Sequence, residues 1–506
     1  MVTINNLTFN QDYSCLSVCT DQYYKIFNCD PFGEFYSSIQ SQGTGNNSGE
    51  SKKYLLDNDG QQGSPSYVPT PASYLKMLFS TSLTIIVPEN PMGNRLLKLY
   101  NLKQNLKICE LTFPAHIIDV KLNRKRLCVI LESGQIYIYD LSCVRLVKVL
   151  DVVATGKSEF VGDLCADDKS LLVLPLGSIK ESTDLFNHEH SNTGSQPSTP
   201  MLDPTTLPKN LADVVEFTRR VKSSKVLNSV TDLNNDSEGW VLVYDTLNLR
   251  PSLIYRAHDS SIAKLSISSD GTKIASASTK GTIIRTCTVE ANEELNGRLQ
   301  IVHMTNLRRG HHLTKVTCLS FSLDNAVLGC ASESGTIHFF KLSTSEELSD
   351  PSLDDDSSTE NISRSSEDLN DNLASLLLSE GGTYQHPQQL EQEQQIQQQN
   401  NNTQKQNSYF YNIKNSMSIL NNQYTQSLVK KLPYKGYLEN LWEPPRRSFA
   451  YVKIPEPEGS RIEIGFTSSM QVVLTSYRTG AFYQYHLPSG YREREEAILV
   501  GEYLVI

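Results

Sequence analysis

Leu307-Arg308-Arg309-Gly310 is the run in this 506-residue chain whose side chains carry the plainest chemistry. Arginine is always charged, and its planar fork of N–H groups fits the oxygens of a phosphate better than lysine's point charge does. If residues 300–309 form a strand, adjacent side chains point to opposite faces. Arg308 and Arg309 then serve two neighbouring sites, and Gly310 lets the chain turn into the next strand. The chemistry is a pair of phosphate clamps; the plain alternative is a solvated surface pair. The chain shows no nucleophile elbow, no Gly-rich phosphate loop opening a helix and no metal constellation, so we expect no enzyme, no catalytic residues, no metal and no cofactor. No basic stripe with interleaved aromatics stands outside the segment near 409–432, which argues against nucleic acid as a partner.

The elements that must position these arginines read as short β-type runs with turn residues between them. Residues 72–114 give YLKMLF, LTIIV, LLKLY and KICEL, and residues 117–150 repeat the pattern as IIDVKL, RLCVILES, QIYIYDL and RLVKVL. Further repeats begin near Val161, Ile262 and Val316; the N-terminal runs LTFN, SCLSVCT and YYKIFNC supply one more, and the closing segment 448–506 another. The count is seven. This predicts an all-β chain, a seven-bladed β-propeller of four-stranded sheets with long disordered inter-strand loops, and 1–506 as a single propeller. The turns S-x-D-G-T at 268–272 and [KS]-G-T-I at 280–283 and 334–337 are hairpin chemistry, with glycine supplying positive φ. They mark WD-type blades, although Tyr139-Asp140 and Tyr244-Asp245 stand where Trp-Asp would be.

Hydrophobic residues make up 38% of the chain, with 24 Tyr and 16 Phe, enough for a core. Ten cysteines, from Cys15 to Cys330, show no C-x-x-C and no metal-ligand spacing, which suits buried thiols in a reducing compartment such as the cytoplasm. The start carries no signal sequence and no run is long enough to span a membrane, so membrane contact would be peripheral. Net charge is −10, yet residues 343–380 hold eleven acids against Arg364 alone, so the rest of the chain sums to about zero.

Three insertions interrupt the blades: 37–71, 177–238 and 343–447, each polar enough to be read as disordered. The last is an acidic block followed by a Gln-rich tract. Near 409–432 its character changes. Phe410, Ile413, Met417, Leu420, Tyr424, Leu428 and Leu432 recur at helical spacing, with Lys414, Lys430, Lys431 and Lys435 as the charges. Such a basic amphipathic helix could insert its apolar face into a membrane, or could equally lie on the propeller or a partner.

At this point the chain resembles the PROPPINs, seven-bladed propellers that bind phosphoinositides. Their mark is F-R-R-G between blades five and six; Leu307 stands at the first position, and Arg308, Arg309 and Gly310 match. The segments 123–143 (NRKRLCVILESGQIYIYDLSC) and 243–248 (VYDTLN) look most like one fungal branch. The resemblance implies two headgroup sites at the rim, for phosphatidylinositol 3-phosphate and phosphatidylinositol 3,5-bisphosphate. By motif, the first site uses His258, Ser261, Thr282, Arg285 and Arg308, and the second uses Arg309, Thr314, Ser332, Thr336 and His338. Hydroxyls and imidazoles can donate to phosphate oxygens beside the arginines. A histidine in the entry turn of a blade also suits a structural role, bonded to a buried Ser or Asp, and this second reading stays open for His258.

The chain departs from the family pattern at both G-T turns. Members commonly carry Asp-Lys-Gly, where Thr279-Lys280-Gly281 and Glu333-Ser334-Gly335 stand, so Ser334 takes a lysine away from the second site. The resemblance further implies a peripheral adaptor on preautophagosomal, endosomal and vacuolar membranes. Its partners would be the ubiquitin-like conjugation proteins of autophagy and cytoplasm-to-vacuole targeting. A lipid-independent propeller scaffold is the competing expectation.

Overall fold

The computed structural model describes residues 2–38, 71–90, 93–104, 106–153, 159–180, 183, 185, 215–216, 239–292, 298–342, 445–489 and 494–506. These residues form seven sheets whose main strands are antiparallel, spanning 4–37, 72–112, 117–151, 163–256, 262–308, 316–453 and 462–504. They are the blades of a β-propeller, numbered one to seven in that order. Inner strands such as Cys15–Thr20, Arg126–Leu131 and Val327–Ser332 are buried at every residue, because each is covered on both faces by neighbouring blades. Apart from Arg126, which pairs with Asp140, their sequences are accordingly continuous apolar or small-residue runs. Outer strands such as Leu106–Thr112 and Ile498–Leu504 are mostly exposed.

Local turn chemistry fixes the hairpins. In blade five, Asp270 accepts from the Ser268 and Thr272 hydroxyls and from the Thr272 amide, while Gly271 takes a φ of +70°. Blade six repeats the device with Ser322 and Asp324, and Asn325 adopts the left-handed φ of 59° that asparagine tolerates. At the Trp-Asp positions, Asp140 and Asp245 accept backbone N–H groups two residues on, from Ser142 and Leu247.

The blade count agrees with the sequence; the boundary of the last blade does not. Ala450–Lys453, expected within the closing blade, pairs with Thr336–Lys341 and is the fourth strand of blade six. The three strands of 316–341 leave an open edge, and the chain completes it only on returning at 445. Three blades gain a short fifth strand, in each case parallel to the outer strand. Val215–Glu216 joins Arg250–Arg256, Arg446–Arg447 joins Arg298–Arg308, and Glu495–Glu496 joins Ala450–Lys453.

Candidate functional site: the basic rim of blades five and six

Arg298–Arg308 pairs with Ile283–Asn292 so that Ile283 lies opposite Arg308 and Arg285 opposite Asn306. Arg285 and Arg308 are therefore diagonal neighbours on one face of blade five, while Ile284 and Leu307 point into the core at 0% exposure. The short fifth strand adds Arg447 directly beside Arg308. Three arginines thus share a face.

The other residues of the expected first site gather at the same end of the blade. Thr279 N–H donates to the Ser261 carbonyl (3.0 Å), and Arg309 N–H donates to that of Thr282 (2.9 Å). Arg285 Nη1 donates to the Ala257 carbonyl, next to His258, and its Nε donates to Asn306 Oδ1 (3.1 Å). His258 is buried, with Nε2 2.9 Å from Ser276 Oγ. That contact is the structural one a blade-entry histidine makes, and it braces the strand beneath the arginines.

Arg309 follows its neighbour in sequence and leaves it in space. It lines a separate open pocket of about 590 Å³, a volume within the range of small-molecule sites of roughly 300–1,000 Å³. One wall is the turn carrying Gly310, His311, His312 and Thr314; a second is the hairpin with Ser334, Thr336 and His338; Tyr451, Lys453 and Arg494 close the third. Ser332 stands behind the pocket, its hydroxyl 3.5 Å from Arg309 Nη1 and 2.9 Å from that of Ser334. Of the five residues expected in the second site, four line this pocket and Ser332 touches one of them.

Arg309 is only 6% exposed. Its Nε donates to the Gly281 carbonyl (2.6 Å) and its Nη2 to that of His312. Burial lowers its pKa from the usual arginine value. Gly281 holds a φ of +62°, and a Cβ there would lie 1.9 Å from the Thr314 carbonyl oxygen. Gly310, expected to be needed for the turn, takes no left-handed φ, and a Cβ there would meet nothing within 4 Å.

His338 is 5% exposed, and burial first, then the charges of Arg494 and Arg309, push its pKa down to about 4. Arg494 Nη2 lies 3.1 Å from His338 Nδ1. A guanidinium can only donate, so Nδ1 carries the lone pair and the neutral ring keeps its proton on Nε2. The Arg494 guanidinium carbon also sits 4.7 Å from the centre of the Tyr451 ring.

Among the described residues, no carboxylate lines this pocket. The contrast with the central channel is sharp. That cavity, of about 630 Å³, holds Lys76, Lys121, Lys264 and Arg461 against Asp119, Glu132, Glu159, Asp163 and Glu463. There Lys121 lies 3.5 Å from both Asp119 and Asp163, and Arg461 lies 3.0 Å from Glu463. The channel is charge-compensated, whereas the charged side chains among the described residues of the rim pocket are all cations.

Sequence reasoning missed Arg447, Lys453, Arg494 and the Tyr451 platform. The usable signal was the basic character of R-R-S-F-A-Y-V-K at 446–453, had that run been assigned to blade six. The expected membrane-inserting residues Phe410, Ile413, Met417, Leu420, Tyr424 and Leu428 lie outside the described residues. Among the described residues, no group of three or more His, Cys, Asp or Glu could hold a metal ion, and no helix is long and apolar enough to cross a membrane.

Fold and rim together define a seven-bladed β-propeller with a basic edge between blades five and six. The PROPPIN family profile matches residues 38–183 and 221–359. The chain is 50% identical to autophagy-related protein 21 of Debaryomyces hansenii and 47% identical to that of Candida albicans, in both cases over 100% of each chain. It is 34% identical to autophagy-related protein 18 of Kluyveromyces lactis, over 70% of this chain and 66% of the relative. The chain belongs to the PROPPIN family, and its likeness to autophagy-related protein 21 runs from end to end. Among solved structures, the complex of KlAtg21 with the coiled-coil of AgAtg16 superposes with a TM-score of 0.54 at 23% identity, covering 99% of each chain. Kluyveromyces lactis Hsv2 superposes with a TM-score of 0.54 at 14% identity over all of both chains. Both carry the same fold.

Proposed function

We propose that this protein is a peripheral membrane adaptor rather than an enzyme. It binds phosphatidylinositol 3-phosphate and phosphatidylinositol 3,5-bisphosphate through the Arg285–Arg308–Arg447 face and the Arg309–His338–Arg494 pocket. The observation that carries this reading is the cationic pocket, with no carboxylate among its described lining residues, beside a second arginine cluster on the adjoining blade. Each site supplies charge from arginine or lysine and neutral donors from hydroxyls and imidazole, the set a phosphorylated inositol ring needs. Two weak sites on one rigid rim act together, because binding at the first raises the effective lipid concentration at the second.

The function served is autophagy and cytoplasm-to-vacuole targeting, with cytoplasmic protein recruited to preautophagosomal, endosomal and vacuolar membranes. The full-length likeness to proteins named autophagy-related protein 21 supports this. The partners we assign are the ubiquitin-like conjugation proteins of autophagy; the solved complex of a fold relative with the coiled-coil of AgAtg16 points the same way. Flotation with vesicles containing phosphatidylinositol 3-phosphate tests the clamps. The double variant Arg308→Thr, Arg309→Thr should stay at the bottom of the gradient while the unaltered protein floats. Full flotation of the double variant would reject them.

A further inference from the structure

We propose that Lys76 is a modification site in the central channel, where its side-chain amine takes up small, uncharged aldehydes as an imine. The channel cavity shares no lining residue with the rim pocket. Its other cations are committed: Lys121 lies 3.5 Å from Asp119 and from Asp163, Lys264 pairs with Glu159, and Arg461 lies 3.0 Å from Glu463. Lys76, on the channel-lining strand Ala72–Met77 of blade two, faces the same cavity and among the described residues forms no ion pair and no hydrogen bond. The tyrosines of the wall are tied up as well, since Tyr13, Tyr74 and Tyr477 donate to the carbonyls of Phe321, Val120 and Leu7. Burial pushes the Cys318 thiol well up, and its Sγ lies 3.5 Å from Glu463 Oε2. The Lys76 amine is the group that the cavity leaves unpaired.

A lysine nucleophile must be both reachable and neutral. Lys76 is partly buried rather than sealed, so a small reagent can meet it. Burial first, then the charge of Lys121, lowers its pKa to about 8 against the pull of Asp119, Asp163 and Glu463. The strands of blade one packed on it, Ile4–Phe9 and Cys15–Thr20, bring no charged residue. The same surroundings select the ligand class. Three carboxylates disfavour an anion and Lys121 disfavours a cation, whereas an uncharged carbonyl compound meets neither obstacle. In the step itself the amine lone pair attacks the carbonyl carbon, and the C–N bond forms as the carbonyl oxygen takes up a proton. That oxygen then leaves as water with both amine hydrogens, and the C=N bond remains with no net oxidation or reduction.

Competitive labelling of the full, unaltered chain with limiting formaldehyde tests the assignment. Cyanoborohydride reduces each imine as it forms, and peptide mass mapping counts the methyl groups on every lysine. Near neutral pH, Lys76 should be labelled at least about 10-fold faster than the exposed Lys107 and Lys125, because a lysine of ordinary pKa holds far less of its neutral form there. That lead should shrink as pH rises toward the ordinary lysine value, where every amine becomes neutral, and it should vanish in denaturing urea. The proposal is overturned if Lys76 in the folded protein reacts no faster than Lys107 and Lys125, or if its lead survives unfolding. No variant has to fold for either outcome to be read.

Discussion

Arg308 and Arg309 share a peptide bond and little else: one stands among arginines on a blade face, the other is wedged under a turn and tied to carbonyls. The residue with the sharpest consequence for behaviour is their neighbour His338. Its folded pKa of about 4 lies below the ordinary histidine value, so between the two the unfolded chain binds a proton that the folded one refuses. The sign follows: this contribution to stability is intact above pH 6.5 and is lost as pH falls toward 4. Urea unfolding at pH 7 and pH 4.5 should show the protein losing about 2 kcal/mol more than an H338Q variant over that interval. Equal losses would mean that His338 is not held neutral. The arginine pair was legible in the sequence because two adjacent residues on a strand must diverge. Arg447, Lys453 and Arg494 were not, because only the folding of blade six brings chain from beyond 343–444 back to the motif.

At the scale of elements, the rim depends on how hairpin tips meet. Gly281 lets the blade-five hairpin press against the Thr314 carbonyl, and this contact sets the spacing between the two sites. The glycines of the rim therefore rank in a definite order. Gly281→Ala combines a left-handed φ with a 1.9 Å clash against backbone and should cost well over 1 kcal/mol, together with headgroup binding. Gly335→Ala meets open space at a φ of +73° and should cost about 1 kcal/mol from backbone strain alone. Gly310→Ala has neither problem and should stay within about 0.5 kcal/mol of the unaltered protein. Denaturant midpoints of the three variants check the order; an equal cost at all three would refute it. Strands and S-x-D-G-T turns were readable because local hydrogen bonds dictate them. The two-residue parallel strands were not, since so short a segment has no periodicity and takes its conformation from the edge it meets.

The propeller closes its ring without sharing a strand between its ends, because the strands of blade one all come from 4–37 and those of blade seven all from 462–504. Side-chain contacts across the join take over that work. Tyr477 donates to the Leu7 carbonyl (2.7 Å), Gln484 Nε2 donates to that of Cys29 (2.9 Å), and Phe32 stacks on Phe482 and Tyr503. Together with the compensated charges of the channel, this gives a rigid ring that holds the two basic sites at a fixed separation on one rim. A rigid pair of sites should read a membrane by its density of phosphorylated headgroups rather than by general negative charge. The direct measurement is flotation of the full chain on two sets of vesicles matched in total anionic lipid, one with phosphatidylinositol and one with phosphatidylinositol 3-phosphate. The protein should float with the second set and remain at the bottom with the first. Equal recovery on both sets, or none on either, would contradict a headgroup-reading rim.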